Sequence, residues 1–442
     1  MRKSRLNLYS FWVITSLVIV LAIAYFDLQI VASEDVIQVQ YISDDAYYYL
    51  ALARNFTALG LWTFDSGHSV TSGFHPLLAY LLFVIYWATT PTMAEFVKYG
   101  LVFSSLITIV SLLIVWVFGL KFGKPHYFIC LALVASTKNF IYNSASVVEF
   151  PLVILFSSLY CIQFWQGFAS ENHIHNAATL FLLGFLGSLS RTDFGLLPFS
   201  LVVVVLPLLI FLGEKKSKAV ASFGGLAGAA TGVLFAFAHS YLFTGDYLQS
   251  SAKMKAYWAQ FYNIDYRGAI GLIKAILGLE SRLTLTIVVL GAMILCLYIM
   301  LKRSRRISRS RKGLSVANLR AIKENKHRIK GITRELALLI ASCCCVLGYV
   351  LFYSRSALIQ PWYSANLIIP ILLLSVVAST FIGQVLGDRF TAIGLSIIAA
   401  LIIIGNFMQY RKTHSGALLA GSAFQRRTNC LSCACDCFAE RV

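Results

Sequence analysis

The chain has 442 residues, 58% of them hydrophobic and only 13% charged, with a mean hydropathy of +0.75. A soluble globular chain carries about 25% charged residues, so this composition excludes that class. The net charge of +18 does not point to nucleic acid either: thirteen of the 37 Lys and Arg residues lie between Lys302 and Arg334, the pattern of a cytoplasmic loop that obeys the positive-inside rule and touches anionic lipid.

The apolar residues come in runs close to the roughly 20 residues of a bilayer-spanning helix. The alternating pattern of a β-barrel is absent, which leaves an all-α polytopic membrane protein. The opening "MRKSR" and the apolar run Phe11–Tyr25 lack a small-residue cleavage site and read as a first transmembrane helix rather than a signal peptide. Spans are expected at 9–31, 76–90, 96–120, 126–136, 147–166, 177–190, 194–212, 219–243, 283–301, 335–353, 361–383 and 391–408.

Three long stretches separate them: 32–75, 244–282 and the basic 302–334, which is expected to face the cytoplasm. Counting back from that loop puts "GEKKSK" (213–218) inside, with "SRTD" (190–193) and 244–282 outside. Counting forward from "MRKSR" puts 32–75 outside. The two counts differ by one crossing between residues 76 and 147, so one apolar stretch there is re-entrant or divided differently. Eleven or thirteen crossings satisfy both ends.

The first outer stretch contains "ISDDAYYYLALARN" (42–55). Tyr47, Tyr48 and Tyr49 are expected at headgroup depth, and Leu50, Ala53 and Phe56 recur at helical spacing. This is the pattern of a short interfacial helix ended by Gly60. Asp44 suits its N-cap. A cap needs one carboxylate, however, and the adjacent Asp45 adds repulsion, so the pair makes more sense if one member works on a substrate or shares a cation. "GHSVTSGFHPLL" follows, with Pro76 placed for the first turn of a helix and His68 and His75 as acid/base or structural candidates.

Further polar clusters lie at span ends. Glu149 in "NSASVVEFPL" sits at the outer mouth of a span and needs a partner, a cation or a sugar hydroxyl. Arg191 and Asp193 in "SRTDFGLLP" suit either an interfacial ion pair or an anion site in which Asp193 holds the arginine. Lys253 and Lys255 in "GDYLQSSAKMKAYW" lie among aromatics that suit a lipid phosphate and a sugar, or an ordinary aromatic belt. Arg355, Trp362 and Tyr363 share a short outer loop in "YSRSALIQPWYSANLIIP".

Ten cysteines show no disulfide framework. Those within apolar runs act as small hydrophobes. Cys430, Cys433, Cys435 and Cys437 crowd a tail, 412–442, that reads as disordered or non-native rather than as a metal site. No internal repeat is evident, which weakens the signature of many secondary transporters.

Carboxylates in the first loop together with Arg191, Lys253 and Arg355 on one face suit attack on an activated glycosyl phosphate. A base takes the acceptor proton, and cations stabilise the departing phosphate. The order "DDAYYYLALARN", "TSGFHPL", "NSASVVEFPL", "SRTDFGLLP", "GDYLQSSAKMK", "QPWYSANLIIP", covering about residues 10–385, resembles the C-type superfamily of membrane glycosyltransferases. This superfamily includes the protein mannosyltransferases, the lipid A aminoarabinose transferases and uncharacterised bacterial relatives.

The resemblance implies a transferase domain over 1–411 in the bacterial cytoplasmic (inner) membrane. It implies a polyprenyl-phosphate-linked sugar donor, an unidentified hydroxyl acceptor on the outer face, and inversion at the anomeric carbon. It maps the general base onto Asp44, with Asp45 orienting it or taking the role, and carries Arg191, Lys253 and Arg355 over as phosphate-binding candidates. Asp193, Glu149, His75 and Tyr363 are supporting residues. Some members use a divalent cation, and Asp44, Asp45 and Glu149 leave room for Mg or Mn. The family often adds a C-terminal extramembrane domain where this sequence has its cysteine-rich tail. The rival readings are a lipid-linked sugar flippase or exporter, and a catalytically inactive scaffold of the same fold.

Overall fold

The computed structural model describes residues 2–33, 38, 42–121, 124–167, 172–211, 216–261, 340–349, 352–353, 361–386, 391–394 and 396. The expected span 283–301, the basic loop, Arg355 and the cysteine-rich tail lie outside the described residues. Among the described residues every regular element is helical. Four helices are long and apolar enough to cross a membrane: Leu8–Ala32, Met93–Leu120, Phe150–Gly167 and Ser222–Thr244.

In chain order the helices are α1 (Arg2–Ala32), α2 (Asp44–Leu59), α3 (Pro76–Thr89), α4 (Met93–Leu120), α5 (Pro125–Ala135), α6 (Lys138–Ser144), α7 (Phe150–Gly167), α8 (His173–Ser190), α9 (Leu196–Phe211), α10 (Lys216–Thr244) and α11 (Ser250–Phe261). They are followed by α12 (Ile340–Tyr349) and α13 (Ala365–Leu386). Local chemistry sets several of the boundaries. Gly60 ends α2 in the left-handed conformation at φ +68°, which costs glycine nothing. Pro76 opens α3 at a position whose N–H needs no partner. Thr92 and Glu95 form a reciprocal capping box at the start of α4.

Cross-helix contacts fix the direction of each helix. Trp116, late in α4, donates to the Val13 carbonyl and the Ser16 hydroxyl in the first half of α1 (3.3 and 3.2 Å). Ser144 joins Asp27, late in α1, to Thr108 in the middle of α4 (2.7 and 2.8 Å). The two helices are therefore antiparallel. Asp27 sits fully buried in a span read as apolar, and its partner hydroxyl satisfies one oxygen of a carboxyl that lipid could not. Helices α5 and α6 return to the end where α1 finishes, and α7 leaves it. The α7–α8 turn brings Gln163 onto Asn176 at 2.7 Å.

Helices α8 and α10 run parallel in constant register. A methyl added at Gly224 would lie 2.6 Å from the Ala177 carbonyl oxygen, and one at Gly232 would lie 2.6 Å from that of Phe185. Glycines four residues apart let the two backbones touch, the packing mode of small-residue stripes in membranes. Helix α9 is the return stroke between them.

Helix α3 departs from expectation. His75, at its start, donates its backbone N–H to the Tyr49 hydroxyl of α2 (3.0 Å). Tyr86, in its last turn, meets Phe96 in the first turn of α4 (centroids 4.8 Å apart). A methyl at Gly100 of α4 would lie 3.0 Å from Val147 and 3.6 Å from Leu50. Both ends of α3 thus lie where α1 finishes, and α4 starts from that same end. With 14 residues, α3 is about 21 Å long, packed along α2 through Phe56, Tyr80 and Phe83. Among the described residues the stretch 76–89 therefore does not traverse the bundle.

Candidate functional site

At the end of the bundle where α1 finishes, six segments contribute polar side chains to one buried cluster. Glu149 precedes α7 and is 5% exposed; Arg191 follows α8 and is 4% exposed. Arg191 extends the chain at φ −164°, and its successor residues Thr192–Gly195 form a 3₁₀ turn that carries Asp193 back toward it. The guanidinium donates from Nε to both oxygens of Asp193 (2.9 and 3.2 Å). Its Nη2 donates to the Tyr353 hydroxyl at 2.8 Å, and that hydroxyl in turn donates to Asp193. Four residues earlier in sequence, Tyr349 of α12 donates to the Asp193 carbonyl (2.8 Å). The guanidinium plane lies over the Tyr363 ring, 4.0 Å from its centroid, on a second 3₁₀ turn, Pro361–Ser364, that leads into α13.

Glu149 is held from the other side. The Tyr49 hydroxyl of α2 donates to its Oε1, and His75 Nε2 stands 3.6 Å from the same oxygen. Its Oε2 faces Arg191 Nη1 at 4.0 Å. Burial pushes the Glu149 carboxyl upward, but the positive charges of His75 and Arg191 and the Tyr49 hydrogen bond outweigh it and hold the group below its ordinary range. Tyr49 moves the opposite way: burial and the adjacent Glu149 charge push its hydroxyl well up, so it remains a donor.

Glu149, Arg191, Asp193, His75 and Tyr363, widely separated in sequence, therefore meet in one cluster. Tyr49 and Tyr353 were not singled out by sequence. Tyr49 was expected at headgroup depth, yet it is 4% exposed and points inward. The signal for it was its position one turn after Asp45 and just before Leu50, on the buried face of α2. For Tyr353 it was the spacing Tyr349–Tyr353, four residues apart on one helical face.

The acidic pair occupies the first turn of α2, where the helix dipole favours negative charge. Ser43, not Asp44, is the N-cap residue, and its side chain makes no capping bond. Asp44 is exposed and faces Tyr47 and Tyr142 electrostatically. Asp45 is half-buried and acts on Tyr49, one turn further along the face that reaches Glu149.

Lys253 pairs with Asp246, both about half exposed, and makes no described contact with the Arg191 cluster. Its segment does reach the stretch 42–75: Gln249 donates to the Phe74 carbonyl at 2.9 Å, and Ser240 to the Ser72 hydroxyl at 2.8 Å. The stretches 42–75 and 245–261 thus lie at the same end of the bundle.

Among the described residues no three His, Cys, Asp or Glu side chains converge as a metal site. Glu149 already faces Arg191 and His75, so it is poorly suited to a divalent cation. No protein-family model, curated protein or solved structure matches the chain.

Proposed function

We propose that this chain is an integral membrane glycosyltransferase that moves a sugar from a polyprenyl-phosphate carrier to a hydroxyl acceptor. One observation carries the reading. Tyr49, His75, Glu149, Arg191, Asp193, Tyr353 and Tyr363 are drawn from distant segments into one buried polar cluster, and the helix bearing Asp44 and Asp45 starts beside it. Burying that many charged and hydroxyl groups next to lipid is costly, and a transfer site supplies a reason for it. A transporter would distribute its polar groups toward the middle of its spans; here they concentrate at one end.

In this reading α3 stays on the outer face, the protein crosses the membrane eleven times, and the site faces outward from the bacterial cytoplasmic membrane. An exposed first-turn carboxylate, Asp44, takes the proton from the acceptor hydroxyl. The acceptor oxygen forms a bond to the anomeric carbon as the bond to the phosphate oxygen breaks on the opposite side. The phosphate leaves with the electron pair, and the configuration inverts. Asp45, on the Tyr49 face, ties the base to the buried cluster. Lys253 is the described cation best able to meet the phosphate. Its partner Asp246 is solvent-exposed, and such pairs contribute only about 0–1 kcal/mol.

The test is reconstitution in lipid with a panel of polyprenyl-phosphate sugars, following release of polyprenyl phosphate. Wild type is expected to consume at least one donor, and Asp44→Asn to lower turnover by about 100-fold or more. Equal turnover in wild type and Asp44→Asn, or no donor consumed by wild type, would sink the proposal.

A further inference from the structure

Two polar atoms at the centre of the cluster are left over once its hydrogen bonds are assigned. Glu149 Oε2 and Arg191 Nη1 are both buried, and neither has a hydrogen-bond partner among the described residues. They face each other at 4.0 Å, with both side chains more than nine-tenths buried. That separation is too long for a direct N–H···O bond, which needs about 2.7–3.2 Å. It matches one intervening oxygen. An atom about 2.9 Å from the nitrogen and about 2.7 Å from the carboxylate would see the two at an angle of about 90°.

Both side chains are fixed through their other atoms. Arg191 is fixed by Asp193 at Nε, by Tyr353 at Nη2 and by the Tyr363 ring beneath it. Glu149 is fixed by Tyr49 and has His75 beside it. Neither charge can swing across without giving up bonds it already has, so the 4.0 Å separation is preorganised rather than slack.

The two atoms also define what can fill it. The occupant must accept a proton from a guanidinium and donate one to a carboxylate. A hydroxyl does both. An ionised phosphodiester oxygen, as in the donor, can accept from Arg191 but has nothing to donate, and it meets the negative charge of Glu149. An ammonium group can donate but cannot accept. Arg191 was expected from sequence as a phosphate ligand, yet its nitrogen without a partner is turned toward a carboxylate.

We propose that Glu149 Oε2 and Arg191 Nη1 form a subsite for one ring hydroxyl of the transferred sugar, separate from the contact that holds the donor phosphate. This rests on the transferase reading, but its test requires no turnover. The protein in lipid nanodiscs is titrated with methyl glycosides of mannose, glucose, galactose and arabinose, with binding read by saturation-transfer NMR. Dimethyl phosphate, a diester like the donor linkage, serves as competitor.

At least one glycoside is expected to bind. Glu149→Gln should weaken it about tenfold or more, the loss of a charge-assisted hydrogen bond. One monodeoxy analogue should lose as much on wild type and lose nothing further on Glu149→Gln. Dimethyl phosphate should not compete.

Three results would overturn the subsite: no glycoside binds and the position holds water alone; every monodeoxy analogue binds wild type like its parent; or dimethyl phosphate displaces the sugar. The wild-type arm of the deoxy series decides the second of these results by itself, so it stands even where the Gln variant folds poorly. Glycoside binding without donor consumption would sink the transferase reading alone. Donor consumption with glycoside binding unchanged in a folded Glu149→Gln would sink the subsite alone.

Discussion

Removing Arg191 should destabilise the protein through what it leaves behind. The guanidinium is 4% exposed and faces two carboxylates, Asp193 at 2.9 Å and Glu149 at 4.0 Å. Replacement with Met keeps much of the apolar stem and the contact with Tyr363 but strands both negative charges in a buried site. Deleting one partner of a buried ion pair costs about 3–5 kcal/mol, because the survivor has lost water and gained nothing. At about 2 °C per kcal/mol, the small shift of a long chain, this lowers the melting temperature by about 6–10 °C.

Unfolding can be followed in detergent with a thiol-reactive dye, since Cys130, Cys161, Cys343 and Cys345 are buried and become reactive only on opening. The electrostatic origin is tested by neutralising the carboxylates as well. The triple variant Arg191→Met/Asp193→Asn/Glu149→Gln should recover at least half of the loss, although it removes more native hydrogen bonds than the single change. If Arg191→Met melts with wild type, or the triple variant is worse than the single one, the argument from uncompensated buried charge is wrong.

Three other outcomes follow from the same geometry. Gly228→Leu should abolish folded protein or lower its melting temperature more than Arg191→Met does, because even a methyl at that position collides with the Phe181 backbone of α8; normal expression and melting would contradict the close α8–α10 contact. Since Glu149 is held below its ordinary value of 4.5, it stabilises the fold fully above that value and loses this contribution as pH falls through its depressed one. The melting-temperature gap between wild type and Glu149→Gln should therefore narrow on acidification, and a constant gap would refute the assignment. In sealed vesicles, Ser66→Cys and Thr90→Cys should react with an impermeant thiol reagent from the same side, and Lys124→Cys from the opposite side. Labelling of Thr90→Cys from the Lys124 side would show that 76–89 crosses after all.

The sequence by itself determined the solvent and the class of this protein. Runs of apolar residues broken by a basic stretch leave helices in lipid as the only packing that satisfies the backbone. Most helix ranges were legible for the same reason, as were caps and stops such as Pro76 and Gly60, whose conformational limits act locally. The acidic pair and the residues Glu149, Arg191 and Asp193 stood out because charge is rare in such a chain.

Hydropathy reports how greasy a segment is and not where it goes, so 76–89 looked like a crossing until its contacts with Tyr49 and Phe96 put both of its ends on one side. Likewise no local pattern could pair Tyr49 with Glu149, 100 residues away, or Arg191 with Tyr353, 162 residues away. Those bonds exist because alternating helices return distant segments to the same end of the bundle. There, burial obliges each charge to find a partner, and only the folded chain decides which one it finds.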